Sequence, residues 1–353
     1  MKINFLLVFT FTVLISDVFI SQKQAYLVED NEKYTVEMIS SDLDSLNKLY
    51  PNITELFSIG KSEFGFPIEV LRIGSKNINK KCILFVGNIH AREDFSSKFI
   101  MKFINLYLLS ISKDSIVYEQ AVNYLDQVNL YFIPVANPDG LKIAHENWVN
   151  IEKHLPEIKK IKKIDGFTEW KANGNGIDLN DSFDDGSHNI NQSSNSSLVP
   201  CSEGYKGKYP AEPIETKVIQ KFISEILPLI TLSFHTKGDI IYWADSKTHG
   251  YFNGIDTKIN NKVTKASKFN LAPVSPNPVT YGGGLENYVR FQFGLLGSCI
   301  ELSISNKTRT QHPDNQFNNL VWKKAWEIPI IYIENAILYS DEIISISKKN
   351  RLK

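Results

Sequence analysis

The apolar positions of this chain alternate between two spacings. Val36, Ile39, Leu43, Leu46 and Leu49 recur at helical intervals and predict an amphipathic helix over 34–50, stopped by Pro51. Strand-like segments follow at 54–59 and 68–73, with Gly60 and Phe64-Gly65-Phe66-Pro67 supplying the turns. The apolar run from Cys82 to Val86, bounded by Gly87, reads as a buried strand, and Phe95 to Ile104 returns to helical spacing. A helix over 115–126 and a buried strand over 128–135 come next, and the strand ends in the turn signal Ala136-Asn137-Pro138-Asp139-Gly140. Residues 145–168 are Lys-rich and read as a helix or a surface excursion; residues 184–204 have the Ser, Asn, Asp and Gly content of a loop. A helix is predicted over 212–227 with Pro213 near its start, then strands over 229–234 and 240–243 flanking His235 and Gly238. A strand interrupted by glycine over 293–302 and a helix over 322–338 close the pattern. No repeat and no linker divides residues 34–340, and strands alternating with helices argue for a single α/β domain.

Composition narrows this picture. The 353 residues are 42% apolar, enough for a sizeable core, and 39 basic residues balance 39 acidic ones. That balance gives no global field toward nucleic acid or an anionic membrane, so neither is an expected partner. Residues 1–25 stand apart: Lys2 is the only charge before Asp17, and residues 5–15 are almost continuously apolar. This is the form of a cleaved signal peptide, and it is short for the ~20 residues of a membrane anchor. The expected organisation is a signal over 1–25, one domain over 26–345 and a basic, frayed tail over 346–353, in a protein that is secreted or held in the cell envelope. Three cysteines, Cys82, Cys201 and Cys299, are too few and too odd in number for a disulfide framework; Cys82 and Cys299 lie in apolar runs and read as core thiols.

The chemistry concentrates in four stretches. His90 and Glu93 sit three residues apart on the turn from the Cys82 strand into the following helix, so both can reach one cation, and both donor types suit zinc. His235 closes a second buried strand. Glu301 is a carboxylate inside an apolar strand, where a charge rarely sits unless paired or functional. Trp170-Lys171 opens a segment that runs to Gly176-Ile177-Asp178-Leu179-Asn180. Each of these has an ordinary structural explanation when taken alone.

Together and in this order they resemble the zinc metallocarboxypeptidases of the carboxypeptidase A type over about residues 34–340. The resemblance implies a single domain built on a mixed, twisted sheet of about eight strands with helices on both faces. It also implies one zinc ion held by His90, Glu93 and His235, with Glu301 as the general base. Zinc would lower the pKa of a water toward ~7 and polarise the scissile carbonyl. Glu301 would take the water's proton and pass it to the leaving amine. Lys171, beside Trp170, would stand where the family keeps an arginine for the oxyanion, and Tyr281 (or Tyr288) where it keeps a mobile tyrosine. Asn180 would contact the substrate's end.

One departure bears on the substrate. The family continues with an arginine that holds a terminal carboxylate; this chain has Asp181, which would repel one. Lys237 and Arg290 are candidate replacements for that cation. The segments 170–173, 235–243 and 282–288 look most like the bacterial branch that cleaves γ-D-glutamyl–diamino acid bonds of peptidoglycan stem peptides, and Asp181 is then expected to face the ammonium of the diamino acid. The competing readings are a conventional carboxypeptidase acting on ordinary peptides and a catalytically silent peptide-binding relative.

Overall fold

A computed structural model describes residues 33–351 apart from 78, 113–116, 118–120, 163–165, 190–196, 276–282 and 307. The apolar run at 5–15 and Tyr281 therefore lie outside the described residues.

Eight strands form one mixed sheet in the order β1-β2-β4-β3-β5-β8-β6-β7. They are β1 (Thr54–Lys61), β2 (Pro67–Ile73), β3 (Cys82–Gly87), β4 (Asn129–Ile133), β5 (Ile230–His235), β6 (Ile240–Tyr242), β7 (Asn270–Leu271) and β8 (Leu296–Glu301). β4, β3, β5 and β8 run parallel, and antiparallel pairs join β1 to β2, β2 to β4 and β6 to β8. Every residue of β3, β4 and β5 is buried, so this centre is covered on both faces, as parallel strands require.

The covering helices are α1 (Val36–Leu49), α2 (Asp94–Ile111), α3 (Ala121–Leu125), α4 (Pro138–Ala144), α5 (Leu155–Ile161), α6 (Ile214–Ile226), α7 (Ile255–Ser267), α8 (Leu285–Phe293), α9 (Ile328–Leu338) and α10 (Ser340–Arg351). Among the described residues no helix is long and apolar enough to cross a membrane. The connection after β3 leads to β4 on one side of it, and the chain then crosses over to β5 on the other. The strand order therefore switches direction beside β3, and the crevice beyond the carboxyl ends of β3 and β5 is where α/β sheets place ligands.

Several elements differ from the apolar pattern for identifiable reasons. The segment at 136–140 is not a free turn: Asn137 caps α4, its side chain accepting from Gly140 N–H at 3.0 Å, and Pro138 takes the first helical position. α7 buries only three apolar residues, Ile255, Ile259 and Val263, too thin a stripe to stand out among Lys, Asn and Thr. α8 hides behind the glycine-rich stretch before it, and Gly294 ends it in the left-handed conformation, so β8 starts at Leu296 rather than at 293. The expected frayed tail is instead the end of α10 as far as Arg351, where Ser347 donates to Phe293 O at 2.6 Å and docks the helix on α8. All three cysteines are buried free thiols.

A buried carboxyl pair gives the fold a pH dependence. Glu215, at the start of α6, accepts from Glu63 N–H at 3.2 Å and Asn173 Nδ2 at 3.1 Å. Burial, then the nearby Asp139 carboxylate, pushes its pKa up to about 8. A carboxyl raised in the folded state holds its proton more tightly there than in the unfolded chain. The stability it contributes is therefore complete at acid pH and is lost as pH rises from the unfolded value of ~4.3 through the folded value. Glu215→Gln removes that loss: in urea denaturation at pH 5 and pH 8, the variant's unfolding free energy is expected to fall by about 3 kcal/mol less than the wild type's.

Candidate active site and metal centre

β3 delivers the chain to a turn organised by Asn88. This residue adopts a left-handed φ of 51°, a conformation asparagine tolerates, and its Nδ2 donates to His90 O at 3.2 Å and Ala91 O at 3.1 Å. Ser96 ties the same turn to the first turn of α2, donating to Glu93 O at 2.6 Å and accepting from Asn88 N–H at 2.8 Å. Asn137 braces it from β4, its Nδ2 shared between Ile89 O and Ala172 O, both at 3.1 Å. Gly140 is required at this brace, since a Cβ there would sit 2.5 Å from Ala172 O. Ala91 N–H donates to Lys171 O at 3.0 Å, so the Trp170-Lys171 segment is locked against the same turn.

Three donor atoms converge in the crevice. His90 Nδ1 lies 3.0 Å from Glu93 Oε1, and His235 Nδ1 lies 3.0 Å from both His90 Nδ1 and Glu93 Oε2. Glu93 Oε2 also accepts from Thr236 N–H at 3.1 Å. All three side chains are buried. Two imidazole nitrogens facing each other across 3.0 Å cannot both carry protons, and a carboxylate beside them adds negative charge. The spacing approaches the ~3.3 Å edge of a tetrahedron with metal bonds of ~2.0 Å, and the N, N, O donor set suits zinc. The donors thus fit a metal ion that all three face.

The metal-free electrostatics follow from the crowding. Burial opposes charge on His90, yet Glu93 and Asp178 outweigh it and raise its pKa to about 9. Burial and the neighbouring His90 hold His235 below its ordinary value. Glu93 is held well below the usual carboxylate range: burial works against this, but both histidines override it.

Asp178 stands behind the donors. His90 Nε2 faces Asp178 Oδ1 at 3.3 Å, a charge contact rather than a well-aligned hydrogen bond, while Lys171 Nζ pairs with Asp178 Oδ2 at 3.2 Å. Such a carboxylate orients an imidazole ligand and sets which ring nitrogen faces the metal. Burial pulls the Lys171 pKa down, but Asp178, Asp181, Glu203 and Glu93 together keep the ammonium charged. On the other side, β8 pairs with β5 so that Glu301 lies opposite His235. Glu301 Oε2 has no hydrogen-bond partner among the described residues, and burial together with Glu93 pushes its pKa up to about 8.

His90, Glu93, His235, Lys171 and Glu301 thus share one crevice, and Asn180 and Asp181 form the short turn that follows Asp178. Other expected residues are placed differently. Trp170 is fully buried with its Nε1 donating to Asn173 O at 3.2 Å, so it supports Lys171 from below and offers no face to a substrate. Tyr288 is buried on α8 with its ring against Phe183 and Phe293, which leaves it no freedom to swing over a bound peptide. Arg290 is sequestered, its Nε on Thr248 Oγ1 and its Nη2 on Asp256 Oδ2, each at 2.9 Å. Lys237 Nζ is engaged by Asn306 Oδ1 and by Thr308 and Thr310 carbonyls. Neither cation replaces the one absent at position 181. Sequence reasoning also passed over Asp178 and Asn137 as site residues, although both stand inside segments it singled out.

Asp178→Asn keeps the shape but removes the charge that orients His90. Zinc affinity, measured by competition with a chromophoric chelator, is expected to fall about 10- to 100-fold while one equivalent still binds.

Comparison with known proteins agrees with this geometry. The chain is 30% identical over 224 residues to gamma-D-glutamyl-L-diamino acid endopeptidase 1 of Lysinibacillus sphaericus, covering 62% of this chain and 54% of the relative. It is 27% identical over 207 residues to human mast cell carboxypeptidase A, covering 58% of this chain and 45% of the relative. The chain thus spans about half the length of these relatives. The fold is that of thrombin activatable fibrinolysis inhibitor, with a TM-score of 0.66 at 19% identity over 92% of this chain and 83% of that one. It is likewise that of carboxypeptidase A from Helicoverpa armigera, at 0.64 and 18% over 93% and 81%. The family model for zinc carboxypeptidase matches residues 39–327, and the chain belongs to that family, whose metal its three convergent donors fit.

Proposed function

We propose that this protein is an exported zinc peptidase that hydrolyses γ-D-glutamyl–diamino acid bonds of peptidoglycan stem peptides. The observation that carries this reading is the charge at the substrate end of the crevice. Asp181 occupies the turn after Asp178, where an arginine would be needed to hold a terminal carboxylate, and Lys237 and Arg290 are committed elsewhere. Asp181 disfavours a substrate end that brings only a carboxylate, whereas a diamino acid brings an ammonium beside its carboxylates. The similarity to a relative named for the γ-D-glutamyl–diamino acid bond supports the same reading. The apolar run at residues 5–15 supports export.

Zinc, when bound, supplies a Lewis acid for the scissile carbonyl and a water acidic enough to attack near neutral pH. Glu301, at the carboxyl end of β8 and opposite His235, takes the proton released by the attacking water and delivers it to the leaving amine. Lys171 holds its positive charge toward the crevice, pinned by Asp178, and answers the negative charge developing on the carbonyl oxygen. An ammonium is a point charge without arginine's fork, so Lys171 gives charge with little geometric control.

A conventional carboxypeptidase is the second reading, favoured by Asn180, whose side-chain Nδ2 is a donor type that can meet a carboxylate. Mass spectrometry of products separates the two. Zinc-loaded protein is expected to release diaminopimelate from L-Ala-γ-D-Glu-diaminopimelate, and cleavage of only an ordinary L-peptide would favour the second reading. Glu301→Gln is expected to lower kcat about 10²- to 10⁴-fold with zinc still bound. Lys171→Met is expected to lower kcat about 10²- to 10³-fold with KM little changed, in steady-state assays.

A further inference from the structure

Away from the catalytic crevice, a second cavity of about 400 Å³ lies between α6 and the β1-β2-β4 side of the sheet, and none of its walls belongs to the metal centre. That volume is in the range of small-molecule sites. Strand register builds one wall. Glu55 on β1 pairs with Arg72 on β2, and Arg72 pairs with Tyr131 on β4, so the three form a ladder across one face. Phe57, two residues beyond Glu55, shares that face. α6 supplies the other wall with Val218, Phe222 and Ile226, spaced four apart on one side of the helix. The Phe222 ring stands edge-on to Phe57 and to Tyr131, with centroids 6.0 and 5.5 Å away. At one end α6 closes directly on β1, because Gly60 is bare there: a Cβ would lie 2.7 Å from Val218 Cγ1.

Arg72 is the residue that this largely apolar lining does not explain. It is buried to 2% exposure, and a guanidinium carries five donors. Nη1 reaches Glu55 Oε2 at 2.8 Å and the Tyr131 hydroxyl lies beside the group, but Nε is buried with no hydrogen-bond partner among the described residues. A buried guanidinium that is incompletely answered is costly. Glu55 is also a loose partner. It sits on the edge strand with its side chain 51% exposed, so water competes for it. The other charges at the cavity, Lys221 and Glu225, stand one helical turn apart at 3.8 Å and face each other.

We propose that this cavity is a binding site for an amphiphilic carboxylate, whose anionic end replaces Glu55 on the Arg72 guanidinium and whose apolar body lies between Phe57, Phe222 and Ile226. Glu55 turns out to solvent as the ligand enters, at little cost for a group already half exposed. A small inorganic anion would answer Arg72 and leave the apolar walls unfilled; a neutral hydrocarbon would fill the walls and leave the charge unanswered. The site is independent of the peptidase substrate.

The test uses octanoate and octanamide on the zinc-loaded protein, each displacing the fluorescent probe 1-anilinonaphthalene-8-sulfonate. Octanoate is expected to bind at least about tenfold more tightly than octanamide. Arg72→Met is expected to remove that difference, while Glu55→Gln, which takes away the competing carboxylate, tightens octanoate about two- to fivefold. The opposite signs of these two variants are the signature of the site. Octanoate held at the metal instead would bind equally well to folded Arg72→Met, and that result overturns the proposal. Equal affinity of wild type for octanoate and octanamide overturns it too, as does probe that octanoate fails to displace. Where Arg72→Met does not fold, Glu55→Gln decides alone: tighter octanoate supports the proposal, and unchanged or weaker binding overturns it.

Discussion

Everything in this molecule that bears on chemistry depends on holding three donor atoms of His90, Glu93 and His235 about 3.0 Å apart in a buried crevice. Without a cation that arrangement is unfavourable, because two lone-pair nitrogens and a carboxylate face one another out of water. The fold imposes it with rigid elements. Parallel β3 and β5 end side by side, the strand order reverses between them, and Asn88, Asn137 and Ser96 fix the connecting turn through hydrogen bonds to its backbone. The site is thus built on strand ends and capped turns, the parts of an α/β domain whose positions vary least.

The same constraint explains why acidic groups accumulate around it. Glu93, Asp178, Asp181, Glu286 and Glu301 all act on this one crevice, against Lys171 and the two histidines. A divalent cation changes the sign of that local sum and reverses the pKa logic of its neighbours. Lys171 shows how finely the charges are divided. Its ammonium pairs with Asp178, which in turn faces His90, so one carboxylate links the cation that meets the substrate to the imidazole that meets the metal.

How much of this was legible in the sequence depended on whether the signal was local. The Cys82–Val86 run, the strand before His235 and the helix from Val36 are strongly periodic or strongly apolar, and they stand where the pattern put them. α7 and α8 were missed because tertiary packing, not an apolar stripe, holds them: α7 offers three apolar contacts, and α8 depends on a glycine on another strand. Positions 90, 93, 235 and 301 stood out by residue type and place in the pattern, and their roles came from the family resemblance. Whether a neighbour is a participant or a support did not. Trp170 and Tyr288 look like substrate contacts in a string of letters, and only burial shows them as packing; Asp178 looks like part of a turn, and only its distance to His90 shows otherwise.

Unpartnered polar atoms in a folded chain are normally few, and here several gather in one place. His235 Nε2, Asn180 Oδ1, Glu286 Oε2 and Glu301 Oε2 are all buried and without a hydrogen-bond partner among the described residues. Each costs stability, and removing them would be easy, since leucine or methionine fits most buried positions better than a lone carboxylate does. A chain of one α/β domain with a continuous apolar core can bear that cost locally. What these atoms have in common is nearness to the three donors: Glu301 lies opposite His235, Asn180 follows the Asp178 that faces His90, and the charge of Glu286 reaches His235. For Glu301 the partner is the proton of the attacking water, and a carboxylate that must accept a proton there cannot also be tied up by hydrogen bonds from the protein.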